Sequence, residues 1–225
     1  QGHYARDFER HYAVSAPYFC ERFAAFPDVR GKRVLDFGCA TGGLLHRLMQ
    51  AGASYGVGID LDRGSTDYAR ERLVQEWGRD KVSILCEDIV GMRIAPVDVV
   101  ISQNTMEHVS QLKNTMRALV AACKPGGDIY LGFGPLWFSP FGHHQYPRTS
   151  IPWLHLLRGD RVVLNALEER TGRRYRDIRA AGFNACTPAD FRAAFLADKS
   201  VELVSLRCNY GSGGWKRLVS RLLLA

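Results

Sequence analysis

The sequence predicts an α/β fold in which a mostly parallel β-sheet lies between layers of helices. Over residues 32–134, short runs rich in β-branched residues alternate with amphipathic stretches, which is the pattern of successive β–α–β units. A group of glycines follows the first predicted strand directly. The 225 residues, 46% of them hydrophobic, suffice for one sizeable core, so a single domain is expected.

The alternating region predicts five strands and three helices. The strands are expected at Arg33–Phe37, Tyr55–Ile59, Val82–Cys86, Val97–Ser102 and Asp128–Phe133. Apolar residues recur at three- and four-residue spacing between them, which indicates helices with one buried face. These helices are expected at Gly42–Gln50, Ser65–Trp77 and Leu112–Ala122.

The flanking segments are less regular. The aromatic-rich segment Arg6–Phe26 is expected to form one or two helices that lid a site or cover a sheet edge. Thr187 followed by Pro188 predicts a helix start. Further elements are expected as helices near Ile151–Leu157 and at Arg161–Thr171, a strand at Val201–Leu206 and a basic amphipathic helix at Trp215–Leu224.

The net charge of +7 comes entirely from the last third of the chain. Residues 148–225 hold 14 Lys/Arg against 7 Asp/Glu, whereas residues 1–147 hold 16 of each. A solvated arginine-rich surface is the first expectation. Nucleic acid, an anionic membrane surface or an anionic substrate are the alternatives. Nucleic acid is disfavoured because no basic motif interleaved with aromatic residues is visible.

The cysteines and the apolar runs indicate a soluble cytoplasmic protein. The six cysteines are scattered without a CxxC pair, so neither a zinc site nor a disulfide scaffold is expected. No apolar run approaches the roughly 20 residues that cross a bilayer, and no secretory signal is visible. A monomer and a homodimer both fit the sequence.

The strongest functional signal is the segment Val34–Gly43, in which a strand runs into a glycine-rich turn and then a helix. Glycines let the backbone approach a ligand closely, and a helix N-terminus offers unpaired N–H groups. Dinucleotide-binding turns share this design. However, Asp36 stands two residues before Gly38, where a carboxylate suits a ligand with an ammonium group and would repel a pyrophosphate.

This segment resembles the first motif of class I S-adenosylmethionine-dependent methyltransferases, (D/E)xGxGxG, with Ala40 in place of the middle glycine. Four later segments resemble that family in order and spacing, so that the resemblance spans residues 32–134. They are Gly58–Asp62, Cys86–Ile89, Ser102–Val109, which is similar to the family's LEHV element, and the KPGG turn Lys124–Gly127. The resemblance implies a Rossmann-like three-layer α/β/α sandwich with a mostly parallel seven-stranded sheet.

The resemblance also implies the residues that bind S-adenosylmethionine and its product S-adenosylhomocysteine. Asp36 would lie near the methionyl amino group, Asp60 would accept hydrogen bonds from the ribose hydroxyls, and Asp88 would read the adenine amino group. The complete implied set is Asp36, Gly38, Cys39, Ala40, Gly42, Asp60, Leu61, Asp88, Ile89 and Gln103. Within a single methyltransferase domain, residues 1–31 would form a lid, 32–134 the cofactor core, 135–200 the acceptor-binding part and 201–225 a strand and basic tail.

A small-molecule acceptor is expected because the motifs of base-methylating enzymes, (N/D)PP(Y/F) and Pro-Cys, are absent. The loop 134–147 leaves the carboxyl end of the sheet, where open α/β folds bind ligands. His143 or His144 is expected to act as general base towards a hydroxyl oxygen, unless these rings only cap the loop. The walls of the acceptor pocket are expected from Trp137, Phe138, Phe141 and Trp153, which could equally be core residues.

Several alternatives stay open. Asn104, Glu107 and His108 have the ExxEH spacing by which some family members hold a divalent metal. With His144, a site for Mg²⁺, Mn²⁺ or Zn²⁺ would use Glu107, His108 and His144, although no metal is the first expectation. Other functions that fit are N- or C-methylation, RNA or protein methylation, and cofactor binding without methyl transfer, as in a pericyclase-like or regulatory protein.

Overall fold

The computed structural model describes residues 2–207. The predicted basic helix at Trp215–Leu224 and the sixth cysteine, Cys208, lie outside the described residues. Within the described range, no helix is long and apolar enough to cross a membrane.

Five strands alternate with helices as the sequence predicts. The strands are β1 (Arg33–Phe37), β2 (Tyr55–Ile59), β3 (Val82–Leu85), β4 (Val97–Gln103) and β5 (Cys123–Gly132). The helices are α1 (Gly2–Phe23), α2 (Gly43–Gln50), α3 (Arg63–Trp77), α4 (Leu112–Ala122), α5 (Leu154–Arg158), α6 (Arg161–Thr171) and α7 (Pro188–Phe195). A short 3₁₀ turn, Met106–His108, follows β4.

The strands form one parallel sheet in the order β3-β2-β1-β4-β5. Val34 on the central strand β1 pairs with Gly56 on one side and with Val99 on the other. The chain therefore crosses from one side of β1 to the other between β3 and β4. Such a switch point opens a crevice beyond the carboxyl ends of the strands, which is where open α/β folds bind ligands.

The seven-stranded sheet and the late strand are corrected by the structure. Within residues 2–207 the sheet has five strands, and Val201–Leu206 is not a strand. Val204, for instance, is 89% exposed. Within the described range this segment pairs with no strand, and its side chains Leu203, Val204 and Leu206 are exposed.

Helices cover both faces of the sheet, as a three-layer sandwich requires. Val34 packs in a core with residues of α1, α2 and α3. The next residue, Leu35, points to the opposite face and packs in a second core with residues of α4 and α7. Because successive side chains of a strand point to opposite faces, a strand buried on both sides has to be apolar throughout, as β1 and β4 nearly are.

The aromatic-rich N-terminal segment is a single helix, α1, that packs on the sheet through its buried rings. Phe19 lies against Phe23 and against Tyr130 of β5, with ring centroids 4.6 and 5.2 Å apart. At the other end of the helix, Phe8 packs against His46 of α2. These contacts fix α1 across the switch-point end of the sheet.

The C-terminal part adds a third, smaller core. Trp137, Val163, Leu164, Leu167 and Phe183 are its main members. The predicted start of α7 is confirmed, since the Thr187 side chain accepts from the Asp190 backbone N–H and the Asp190 carboxylate accepts from the Thr187 N–H. This reciprocal pair satisfies two donors that would otherwise be free at the helix start.

Candidate active site

A cavity of about 420 Å³ lies at the carboxyl ends of β1, β2 and β4, beneath α1. Residues of several segments line it, and they divide into two sides. The first side comes from the ends of β1, β2 and β3 and carries the carboxylates. The second comes from α1, from the segment 103–111 that begins at the end of β4, and from Thr115 of α4.

The glycine-rich turn is shaped by close contacts that exclude larger side chains. Gly38 has a φ of +79°, and a Cβ there would lie 2.0 Å from Oγ1 of Thr105. The N–H groups of Gly38 and Cys39 donate to the carbonyl of Ile59 on β2. Ala40 takes a left-handed φ of 46°, a conformation that glycine, the residue of the family motif, adopts without steric cost.

Asp36 is a buried carboxylate without a full set of partners. Its side chain lines the cavity, the residue is 2% exposed, and Oδ2 has no hydrogen-bond partner in the described chain. Burial, with a smaller contribution from the charge of Asp60, raises the pKa of Asp36 to about 7. An unpaired buried carboxylate is costly. A ligand ammonium beside Oδ2 would remove that cost, so this residue fits the methionyl end of S-adenosylmethionine.

Asp60 is held by the turn that it faces. Its Oδ2 accepts from the Ala40 N–H at 2.8 Å, and its Oδ1 accepts from the Asp62 N–H at 2.9 Å. Each carboxylate oxygen has two lone pairs, so both oxygens can still accept from a diol. Asp62 in turn caps α3 by accepting from the Ser65 N–H. The arrangement suits a ribose at the end of β2.

The predicted cofactor residues come together, with two exceptions. Leu61, which is 72% exposed, and Asp88 line the cavity at the ends of β2 and β3. Gly42 does not line it, because it closes the turn with its N–H on the Cys39 carbonyl and packs against Leu73. Ile89 is buried in the second core instead. Both residues belong to the motif segments, but each faces the protein interior and not the cavity.

The end of β4 carries two amide side chains that are held by α1. Arg22 donates from Nη1 to Oε1 of Gln103 and from Nη2 to Oδ1 of Asn104, both at 2.5 Å. Asn104 has a left-handed φ of 54°, and its N–H donates to the carbonyl of Gly132 on β5. Both amides line the cavity. Arg22 was not identified from the sequence, because nothing in the helical pattern indicates which residue of α1 meets β4.

His108 is the histidine after β4 that borders the cavity. Its Nδ1 lies 2.8 Å from the carbonyl of Gly182. A carbonyl can only accept, so Nδ1 carries the hydrogen and Nε2 of the neutral ring keeps its lone pair. Within the described chain, Nε2 makes no hydrogen bond. The ring is therefore oriented by one nitrogen and available for chemistry at the other.

The two predicted base histidines do not reach the cavity wall. His143 is fully buried, its Nδ1 accepting from the Gln145 N–H and its Nε2 donating to the Ile151 carbonyl at 3.3 Å. His144 donates from Nε2 to the Pro135 carbonyl and lies against His108, with ring centroids 5.4 Å apart. Mainly because of burial, and further because of the nearby His108, the pKa of His144 is lowered to about 4. These rings cap the loop that carries them.

The four aromatic residues predicted as acceptor-pocket walls also lie off the cavity. Trp137 is in the third core, against His155 and Phe183. Trp153 donates from Nε1 to the Phe138 carbonyl, and Phe141 packs against His143. None of the four lines the cavity, and Phe138 is 46% exposed. The second side of the cavity comes instead from Val14, Ser15, Tyr18, Val109, Ser110, Gln111 and Thr115.

Glu107 anchors the start of the loop that follows β5. It is 4% exposed, and its Oε1 accepts from the N–H of Gly134, where the loop leaves β5. Burial raises the pKa of Glu107, and the charge of His108 opposes that rise. In the described part of the chain, no group of three His, Cys, Asp or Glu side chains is arranged to hold a metal ion. The alternative set of Glu107, His108 and His144 is therefore without support.

Residues 34–127 match the family described as "Methyltransferase domain". A "Ubiquinone biosynthesis O-methyltransferase" of Idiomarina loihiensis is 37% identical over 102 residues, 44% of this chain and 41% of that protein. A protein of the same name from Nitrosococcus oceani is 30% identical over 155 residues, 68% of this chain and 60% of its own length. The chain thus spans less than two thirds of these relatives.

One solved structure extends the likeness over most of the chain. The crystal structure of the [4+2]-cyclase SpnF aligns with a TM-score of 0.51 at 16% identity, covering 81% of this chain and 56% of that one. This likeness concerns the fold alone. The identification combines this likeness of fold with the matched family, the glycine-rich turn and the carboxylates at the strand ends. At residues 34–127 the chain carries a methyltransferase domain, and its motifs there resemble those of class I S-adenosylmethionine-dependent methyltransferases.

Proposed function

We propose that this protein transfers a methyl group from S-adenosylmethionine to a hydroxyl oxygen of a small molecule, with His108 as the general base. The observation that carries the proposal is the position of His108, on the cavity wall with Nδ1 bound to Gly182 and Nε2 without a partner. The names of the relatives, which are O-methyltransferases, agree with an oxygen acceptor.

The cofactor would occupy the first side of the cavity. Asp36 would pair with the methionyl ammonium, Asp60 would accept from the ribose hydroxyls, and Leu61 and Asp88 would border the adenine. When bound, S-adenosylmethionine supplies the methyl carbon, whose bond to sulfur breaks with both electrons remaining on the sulfur. The chain's own contribution is to align the cofactor with the acceptor and to keep water from the site.

His108 would receive the hydroxyl proton at Nε2 as the oxygen forms its bond to the methyl carbon. The carbonyl of Gly182 fixes the ring and would stabilise the protonated imidazole through the Nδ1–H. The neighbouring His144 stays neutral near pH 7, since its pKa is about 4. It therefore adds no positive charge that would oppose protonation of His108.

The expectation of a histidine base at His143 or His144 is replaced in this proposal by His108. His144 would act only by packing against the His108 ring. His143 would hold the loop. An N-acceptor would need no base, so the base distinguishes O-methylation from N-methylation of the same kind of molecule.

The test is methyl transfer to a panel of phenols, hydroxyquinones and sugars, followed by release of S-adenosylhomocysteine. His108→Gln should lower kcat by about 10²- to 10⁴-fold, the usual contribution of a general base, while the affinity for S-adenosylhomocysteine stays within about twofold. His144→Asn is the matched control and should keep most of the rate. Turnover that is unaffected in His108→Gln would refute the base, and cofactor binding without any turnover would favour a non-transferring protein.

A further inference from the structure

The side chains that line the cavity carry negative charge and no compensating cation. Asp36, Asp60, Glu87 and Asp88 all border it. Of the described residues, no lysine or arginine does. The lining histidine on α1, His11, has its pKa lowered by burial, which favours its neutral form. Even with a cationic cofactor beside these carboxylates, the cavity would stay negative in total.

Arg22 is the cation next to this site, and its charge is already engaged. Its guanidinium donates to Gln103 and Asn104 from behind the wall, and it does not line the cavity. It also interacts with the buried carboxylate of Glu107. Drawing Arg22 towards an anionic ligand would break both amide hydrogen bonds and weaken its attraction to that carboxylate.

The basic residues of the C-terminal part do not supply a cation either. Arg148, Arg158 and Arg161 are exposed, and within the described range none of the residues after Thr115 lines the cavity. Among residues 148–207, the lysines and arginines are all exposed, so their positive charge lies on the outer surface. It gives no reason to expect an anionic group on the acceptor.

The second side of the cavity is uncharged and of mixed polarity. Val14, Tyr18 and Val109 offer apolar surface, and the Tyr18 ring can lie against a flat molecule. Ser110 and Gln111 offer neutral hydrogen-bonding groups. Asn104 offers its Nδ2 amino group, since Oδ1 is turned to Arg22. Pockets with this mixture bind neutral ligands that have a few polar substituents.

We propose that the methyl acceptor is an uncharged phenol and that the cavity discriminates against its carboxylated counterpart. This inference rests on the proposed function, because it assigns the acceptor of the same site. A carboxylate here would lose its hydration without gaining a lysine or arginine partner from the described lining residues, and it would face the acidic side of the cavity. A hydroxyl or ester oxygen would instead accept hydrogen bonds from the neutral side chains.

The probes for the test are methyl gallate and gallate, which carry the same phenolic hydroxyls and differ by one carboxylate charge. Each is titrated calorimetrically into the protein saturated with S-adenosylhomocysteine at pH 7. We expect the ester to bind at least about tenfold more tightly than the acid. In Ser110→Arg, which places a cation on the uncharged side, the preference should fall or reverse. Ser110→Asn is the matched neutral control and should keep the preference for the ester.

The outcomes separate this inference from the proposed function. Equal or tighter binding of gallate would overturn the inference, and so would a protein that binds S-adenosylhomocysteine but neither probe. A preference for the ester would support it even if no methyl transfer followed, in which case the O-methyltransferase proposal alone would fail. Absence of S-adenosylhomocysteine binding would overturn both.

Discussion

Arg22 on α1 and Asn104 after β4 are joined by a hydrogen bond of 2.5 Å from Nη2 to Oδ1. Because a guanidinium only donates, the contact sets the orientation of the amide and leaves its Nδ2 amino group for the cavity. The same guanidinium holds Gln103. One residue of the N-terminal helix thus fixes two side chains of the cavity wall, 81 and 82 positions away in the sequence.

Arg22→Met should therefore weaken the binding of S-adenosylhomocysteine by about fivefold, since two amides would lose their fixed orientation at a cost of about 1 kcal/mol. Arg22→Lys should recover part of the affinity, because an ammonium can still donate to one amide. Calorimetric titration gives the affinities. Asn104→Asp is the matched variant, since it keeps a partner for Arg22 but removes the Nδ2 donor. Full affinity in Arg22→Met would rule out this positioning role.

The glycine at the centre of the turn should not tolerate a side chain. In Gly38→Ala the new Cβ would overlap Thr105 and would have to adopt a φ of +79°, so we expect a loss of unfolding free energy of about 2–4 kcal/mol. Gly31→Ala is the control, with a similar φ of +70° but no atom within 4 Å, and should cost only about 1 kcal/mol. Urea unfolding measures both. Equal losses of unfolding free energy in the two variants would mean that Thr105 can move aside for a side chain at position 38.

Acid should destabilise the protein through its buried histidines. Burial is the main cause that lowers the pKa of His144 to about 4 from an ordinary value of 6.5, and it also lowers the pKa of His155. Between these pH values each histidine binds more protons in the unfolded chain than in the folded one, so its contribution to stability is complete above about pH 6.5 and falls as the pH drops towards 4.

From its shift, His144 alone would contribute about 2–3 kcal/mol to this loss. Denaturant unfolding of the wild type and of His144→Asn, each at pH 7 and at pH 5, isolates this contribution, because the raised pKa of Asp36 changes stability in the opposite direction over the same range. His144→Asn, which keeps a residue that tolerates the left-handed φ of 50°, should flatten the dependence. An unchanged pH dependence in that variant would assign the effect to other groups.

Asp36 should make cofactor binding depend on pH near neutrality. Its carboxyl has a pKa raised to about 7 by burial and by Asp60, so in the free protein the ionised form that pairs with an ammonium is lost as the pH falls below 7. The affinity for S-adenosylhomocysteine should then fall by up to about tenfold for each pH unit.

Asp36→Asn should remove this dependence and weaken binding at pH 8. The same variant should make the free protein more stable above pH 7, because a neutral amide replaces a buried charge whose Oδ2 has no hydrogen-bond partner. Calorimetry between pH 5.5 and 8 in about half-unit steps resolves the trend. Affinity that does not vary with pH in the wild type would contradict the assigned pairing.

Local sequence patterns predicted the bounds of an element where its apolar residues repeat with the period of a strand or a helix. The bounds of β1, β2 and α6 agree with prediction, since each has a regular apolar pattern and clear ends. β5 begins earlier than expected, at Cys123, because Lys124–Gly127 joins the strand through a register shift against β4. Such an irregularity depends on the neighbouring strand and cannot be read from the turn residues alone.

The positions of the carboxylates that line the cavity were predictable, and those of the residues on its second side were not. Asp36, Asp60 and Asp88 follow strands of a parallel sheet, whose carboxyl ends meet at one edge, so their positions follow from the fold. His108, Tyr18 and Arg22 come together only because α1 packs across that edge. In the loop 134–147, Trp137 and His143 are buried away from the cavity, whereas Phe138 is 46% exposed. The role of residues 135–200 in acceptor binding stays a prediction.

The central claim is that the cavity binds S-adenosylmethionine through the carboxylates at the ends of β1 and β2. Titration calorimetry of the wild type with S-adenosylmethionine and S-adenosylhomocysteine, beside Asp60→Ala, tests it most directly. We expect micromolar dissociation constants for the wild type and a loss of at least about 50-fold in the variant. Absence of binding to the wild type, or equal binding in Asp60→Ala, would contradict the account of the site.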